Sequence, residues 1–357
     1  MSFPTKRAPT NNTTQQRSLP GLTRPTATAK RTTNMSFGST ALSAANNAAS
    51  TQGELSKDVP ISIGPDDSVS RLAFSPASDH LAVSSWDNKV RIYSIDQNGQ
   101  SNPAAMLEHQ GPALDCCWAK DGTKIFSVGA DKAGRMLDLA AGHTTAAQAQ
   151  QVAVHDQPIR SCAMANIGGT DMLVTGGWDK MVKYWDLRAP SGTPAGQLEC
   201  KERVYTMDVK NNMLVVGTAD RWIHVVSLTN PGTSYKVIQS PLKWQTRVCT
   251  IFSPEANGYA IGSIEGRCAI QYVEDKDSQN NFSFKCHRAT PTSDRNTSNV
   301  FAVNAISFHP VHGTFSTAGA DGTFHFWDKD AKHRLKGYPE VGGTIASTDF
   351  DLSLIHI

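Results

Sequence analysis

The stretches SSWDNKVRIYSID at 84–96, GGWDKMVKYWDLR at 176–188 and GADGTFHFWDKD at 319–330 repeat one design. Each places an acid in a tight turn and an aromatic six residues later: Asp87 with Tyr93, Asp179 with Trp185, Asp321 with Trp327. Between acid and aromatic, apolar and polar side chains alternate with the period of a half-buried strand. The spacing therefore puts the aromatic at the end of a strand and the acid in the turn ahead of it, where a carboxylate can tie the turn down.

Outward from these blocks, the turn acids run Asp87, Asp131, Asp179, Asp220 and Asp321, with Glu265 in the matching place of SIEGRCAIQYV. Successive gaps of 44, 48, 41, 45 and 56 residues are the length of a four-stranded blade, the last widened by an insertion. The remaining strands follow from alternation, as in Val69, Leu72 and Phe74 before Leu81 and Val83, and in Met172 and Val174 before Val182 and Tyr184. The fold class is all-β, a WD40 β-propeller over 54–350. His155 is placed to join Thr175, Asp179 and Trp185 in a buried hydrogen-bonded set across one blade. Only thirty residues follow Trp327, with a strand candidate at Thr344 to Phe350, so the expectation is seven blades with an incomplete seventh. Val59 to Ile63 is the segment expected to help close that blade. The ending LSLIHI reads as a tail, 351–357, foreign to the repeat.

Net charge is +2 over 357 residues and hides an asymmetry. Lys6, Arg7, Arg17, Arg24, Lys30 and Arg31 fall in residues 1–53 with no acid, and the rest of the chain carries −4. This basic arm, rich in Thr, Asn, Ala and Pro, has too few periodic apolar residues to offset its ordering entropy, and disorder is expected over 1–53. It shares its Arg-rich, acid-free character with a mitochondrial presequence, but Pro4, Pro9, Pro20 and Pro25 interrupt the helix such a signal needs. No apolar run is long enough for a membrane-spanning helix, so no membrane insertion is expected. Seven cysteines, an odd number, include Cys116, Cys117, Cys162, Cys249 and Cys268 in apolar runs, the setting of buried free thiols in a reducing compartment.

Four further segments carry a more specific resemblance: SPLKWQTRVCTIF at 240–252, YAIGSIEGRCAIQYV at 259–273, NFSFKCHR at 281–288 and FAVNAISFHPVHGTFSTAGADGTFHFWDKDAK at 301–332. From about residue 55 to 340 the chain resembles the nuclear-pore mRNA export factors, propellers that bind the GLEBS segment of an FG-repeat nucleoporin. The kinetochore propellers of the spindle checkpoint share the SSWDNKVRIY-like blade and the FKCHR stretch. SPLKWQ, the Asn281-Phe282 run and the WDKDAK ending favour the export factors.

That resemblance implies two sets of site residues. Arg267 and Lys285 match basic positions that meet acids of the GLEBS hairpin; read alone, each is a cation on a solvated strand edge. Phe284, Trp327, Lys329, Lys332 and Arg334 match a groove for nucleic acid, an aromatic and basic set suited to stacking bases and holding phosphate with weak sequence preference. Trp327 doubles as the structural aromatic of its blade. A third motif, Trp185, Asp186 and Arg188, fits the W-D-x-R pattern of substrate receptors for a cullin-based ubiquitin ligase, and is also what a strand-ending Trp followed by a turn would leave.

Enzyme chemistry has no foothold: there is no GxxxxGK[ST], no HExxH and no paired CxxC. His309 and His312 alone make a weak metal claim, and no metal or other cofactor is expected. The expected role is non-enzymatic mRNA export and nuclear-pore docking, in the nucleus, at the nuclear envelope and pore, with some protein in the cytoplasm. A ligase receptor and a checkpoint propeller are the alternatives.

Overall fold

The computed structural model describes residues 52–190, 192–291 and 296–351. The basic arm as far as residue 51 and the tail beyond 351 lie outside the described residues. Six four-stranded antiparallel sheets form the blades. Blade one is β1 (Val69–Phe74), β2 (His80–Ser85), β3 (Lys89–Ile95) and β4 (Ser101–Glu108). Blade two is β5 (Ala113–Trp118), β6 (Lys124–Gly129), β7 (Ala133–Asp138) and β8 (Gln150–Val154). Blade three is β9 (Ile159–Ile167), β10 (Thr170–Gly177), β11 (Met181–Asp186) and β12 (Gly196–Glu199), and blade four β13 (Val204–Lys210), β14 (Met213–Thr218), β15 (Trp222–Ser227) and β16 (Lys236–Gln239). Blade five is β17 (Thr246–Ile251), β18 (Gly258–Ser263), β19 (Arg267–Tyr272) and β20 (Phe282–Lys285). The two-residue strands β21 (Arg288–Ala289) and β22 (Asn299–Val300) pair in the connection to blade six, which is β23 (Val303–Phe308), β24 (Thr314–Gly319), β25 (Phe324–Asp328) and β26 (His333–Tyr338).

The burial of each strand follows from its place in a blade. Second strands have a blade packed against either face, so GYAIGS of β18 and MLVVGT of β14 are buried throughout. Outermost strands face water on one side, and FSFK of β20 alternates accordingly. The core is a ring of separate clusters, five of them shared by two blades and a sixth confined to blade one with Ile61. Val174, Val182 and Tyr184 of blade three meet Leu214, Val216 and Val226 of blade four, and Val248, Cys268 and Ile270 of blade five meet Ile306 and Phe315 of blade six. Each such aliphatic side chain contributes about 1.5–3 kcal/mol on burial. All seven cysteines are free thiols.

First strands line a central channel and touch in order: β1 with β5, β5 with β9, β9 with β13, β13 with β17, β17 with β23. Side chains stitch them together. Thr206 and Asp208 of β13 accept hydrogen bonds from the amides of Cys249 (3.0 Å) and Ile251 (2.7 Å) on β17, and Asp115 of β5 accepts from Cys162 N–H of β9 at 3.0 Å.

Among the described residues six four-stranded sheets are present, and the expected incomplete seventh blade is not among them. The interval between β23 and β1 holds one extended segment, residues 344–350, joined to both neighbours largely through side chains rather than a backbone ladder. Asn304 Nδ2 and Ser307 Oγ donate to the carbonyls of Ile345 (2.9 Å) and Thr348 (3.1 Å). On the other side, Leu72 N–H donates to Ser347 Oγ at 3.1 Å and Phe74 N–H to Asp349 Oδ2 at 2.8 Å. Val59 to Ile63 does not extend this segment. Pro60 has no N–H for a ladder, and Ile61 finds apolar cover on blade one against Leu81, Val83 and Tyr93, with Ser62 bonded to Ser101. Gln52 and Gly53, expected within the arm, instead bridge Gly337 on the edge of blade six.

Removing Asp349 leaves the Phe74 amide without its acceptor, at a cost of about 1–3 kcal/mol. Asp349→Ala and Asp208→Ala are expected to lower the urea midpoint by comparable amounts at constant m-value. A midpoint unchanged in Asp349→Ala alone would show that the segment does not hold the ring.

Candidate functional site

The turns between second and third strands and the connections between blades share one end of the propeller, and local chemistry makes those turns rigid. The acid's carboxylate accepts the amide two residues on, as Asp87 does from Lys89 (3.1 Å), Asp179 from Met181 (3.1 Å) and Asp321 from Thr323 (3.1 Å). The residue between is left-handed: Asn88 at φ 72°, Lys180 at 68° and Gly322 at 71°.

Behind the turn of blade three lies the buried set expected from the sequence. Trp185 Nε1 donates to Thr175 Oγ1 at 2.8 Å, Thr175 meets His155 Nε2 at 2.8 Å, and His155 Nδ1 meets Asp179 at 2.9 Å. The threonine hydroxyl accepts the tryptophan N–H, and because a carboxylate can only accept, Nδ1 carries a proton toward Asp179. A side chain at Gly177 would come within 2.6 Å of that Nδ1, so the turn must enter on glycine. Blade six repeats the set with Trp327, Thr317, His287 and Asp321, and blade two repeats it without the indole, through His109, Ser127 and Asp131. His109 and His287 were not singled out in the sequence. Burial works against ionisation of Asp179 and Asp321, yet the imidazole N–H and the backbone amides hold both below the usual carboxylate range.

The residue just before the turn acid is Trp86 in blade one, Trp178 in blade three and Ile264 in blade five, all exposed. With Tyr205, and with Arg71, Arg160 and Arg247 from the first strands, they line a cavity of about 430 Å3 at the channel. None of these belongs to the site residues expected from the sequence. Their signal was local: a bulky apolar side chain in a Gly-Asp turn cannot reach a core.

Arg267 and Lys285 are direct cross-strand partners on β19 and β20. Arg267 lies 3.3 Å from Glu265; Lys285 is exposed and, among the described residues, has no ion pair. Lys285 also borders a cavity of about 490 Å3 with His287, Arg288, His325, Trp327 and Arg334, so it lies beside part of the second expected set. The structure brings most of that set together. Phe284 and Trp327 pack against each other, centroids 4.5 Å apart and both half-buried; Arg334 is the cross-strand partner of Trp327; exposed Lys332 lies 5.2 Å from the Phe282 ring. Lys329 is turned away from them, 6% exposed, 2.8 Å from Asp330 and 5.4 Å from the Phe252 ring. In the third motif, Trp185 is buried in its blade and Arg188 is closed onto Asp186 at 2.8 and 3.0 Å, with a further bond to Thr170.

Comparison with known proteins matches the WD domain, G-beta repeat, at residues 58–94, 148–186 and 284–328. The chain is 61% identical to the mRNA export factor GLE2 of Chaetomium thermophilum, over 85% of this chain and 83% of that one. It is 49% identical to the Poly(A)+ RNA export protein of Schizosaccharomyces pombe, over 88% and 86%, and 45% identical to protein Rae1 of Drosophila melanogaster, over 82% and 84%.

Two further histidines set a pH response. Burial pushes His224 and His325 down to about 4 from an ordinary 6.5, helped at His224 by Lys201 and at His325 by His287 and Arg334. His224 Nε2 accepts the Lys201 N–H at 3.1 Å, a bond that protonation would break. Between pH 6.5 and 4 the unfolded chain binds protons that the folded chain refuses, so stability falls as pH is lowered through that window. His224→Gln is expected to flatten the dependence of the urea midpoint on pH between 4 and 6.5. An equally steep dependence in the variant would exclude His224 as a contributor.

Proposed function

The chain belongs to the WD40-repeat mRNA export factor family, and on that premise we propose that it works by docking rather than by catalysis, joining messenger ribonucleoprotein to the nuclear pore. On this reading its partners are the GLEBS segment of an FG-repeat nucleoporin and RNA or ribonucleoprotein, bound with little sequence preference. It works in the nucleus, at the nuclear envelope and pore, with some of the protein in the cytoplasm.

One observation carries the nucleoporin part: two like charges, Arg267 and Lys285, face each other in register across β19 and β20. Such a pair weakens the strands it sits on, and among the described residues only Glu265 is ion-paired with it. An acidic segment laid across both would relieve the repulsion, speed encounter and fix register. The exposed Trp86, Trp178 and Ile264 near the channel offer such a segment apolar anchorage at the same end of the propeller.

The same reading takes residues 344–350 as the innermost strand of a seventh blade. Support comes from its chemistry: Ser347 and Asp349 meet Leu72 and Phe74 through the same two-residue spacing with which Thr206 and Asp208 meet Cys249 and Ile251.

Arg267→Glu combined with Lys285→Glu is expected to abolish binding of a GLEBS peptide in titration calorimetry, with the melting temperature within a few degrees of the parent because neither side chain is buried. Unchanged peptide affinity would remove both residues from the interface.

A further inference from the structure

Blade four and its exit carry a surface that neither expected set of site residues includes. Lys201 Nζ lies 5.1 Å from the Trp222 ring centroid and the Arg203 guanidinium 5.8 Å from that of Tyr205. Beyond them, Lys243 and Trp244 stand out on the connection to blade five, with Trp244 57% exposed. Flexibility does not account for that exposure. The connection is pinned by Ser240 N–H to Arg221 O at 2.8 Å, Arg221 Nη1 to Leu242 O at 2.9 Å and Gln245 Nε2 to Thr218 O at 3.0 Å. The indole is held in water by a rigid loop.

The charge here is positive and largely unspent. Glu202 is shared between Lys180 at 2.7 Å and Arg203 at 3.9 Å, and Asp220 lies in the turn. Among the described residues, Lys201 and Lys243 have no carboxylate partner. An apolar protein partner covering these rings would have to strip water from both lysines without compensation. A single-stranded nucleic acid suits both halves of the surface, stacking bases on aromatic faces while phosphates meet the cations.

The groove expected at blade six has no ring as exposed as Trp244 among its expected residues. Phe284 and Trp327 are half-buried and packed against each other at 45°, and Lys329 is buried, leaving Lys332 and Arg334 as exposed cations of that set.

We propose that blade four is the base-stacking site for single-stranded RNA, with Trp244 and Trp222 as platforms and Lys201, Arg203 and Lys243 as phosphate contacts. The proposal rests on the reading of the chain as an RNA-engaging export factor. It assigns Lys332 and Arg334 a purely electrostatic share.

The test is fluorescence anisotropy of a labelled oligouridylate over a salt series, with the full chain, Trp244→Ala/Lys201→Ala, and Lys332→Glu/Arg334→Glu, each checked for an unaltered melt. The blade-four variant is expected to bind about tenfold or more weakly. It should also lose about one unit of salt slope for the lysine removed and the quenching of tryptophan emission that RNA causes in the parent. The blade-six variant should show a reduced salt slope with that quenching retained.

Equal binding by the parent and the blade-four variant overturns the proposal while leaving the RNA-engaging reading intact. Loss of quenching in the blade-six variant alone moves the stacking site there and likewise overturns it. If the blade-four variant loses a GLEBS peptide and keeps RNA, the surface is a protein dock and the proposal fails. A parent that does not bind oligouridylate at all sinks the RNA reading itself.

Discussion

The fold depends on holding wedge-shaped sheets together where their exposed turns meet, and a buried imidazole does this at three junctions. His109 follows the outermost strand of blade one and meets Asp131 in blade two; His155 joins blade two to Asp179 in blade three; His287 joins blade five to Asp321 in blade six. Each histidine is therefore both the end of one blade and a ligand of the next blade's turn. At junctions without this arrangement, other polar groups take the place: the Lys201 amide on His224 between blades three and four, and Arg221 on the Leu242 carbonyl between blades four and five. Both ring nitrogens of each of the three clamp histidines find a partner, so these clamps add order without leaving a buried imidazole nitrogen unsatisfied.

These clamps also explain how the same end of the molecule can expose tryptophan. A turn whose carboxylate is fixed from behind by imidazole and from within by a backbone amide cannot fold its leading residue inward. Trp178 stays in solvent for this reason; Trp86 does so ahead of Asp87, which Arg91 and the Asp66 amide hold instead, and the arginines of the first strands lie close behind both. A surface of apolar rings backed by cations is costly in an isolated protein and useful in one whose work is to be covered by something else.

The turn acids, the third-strand aromatics and the tetrad of His155 could be read from the sequence because their partners lie within one repeat of each other. His287 was legible in principle but hidden inside FKCHR, where the neighbouring lysine and arginine suggested a surface role. The bonds from β1 to residues 344–350 could not be read, since they join positions 275 residues apart and depend on the curvature of the whole ring. Lys329 shows the same limit in the site. Its neighbours in sequence make a basic cluster, yet Asp330 and the Phe252 ring, brought from another blade, draw it into the interior. Charge read along a chain does not say which cation the core will claim.

The segment at 344–350 also makes the ring mechanically uneven. Between most neighbouring first strands, whole blades with shared apolar clusters resist separation, whereas among the described residues the load between β23 and β1 passes through the segment at 344–350 and a few hydrogen bonds. A pull applied across the described part of the ring will concentrate at this seam. The propeller would part there like a clasp, with the remaining blades still joined in an arc.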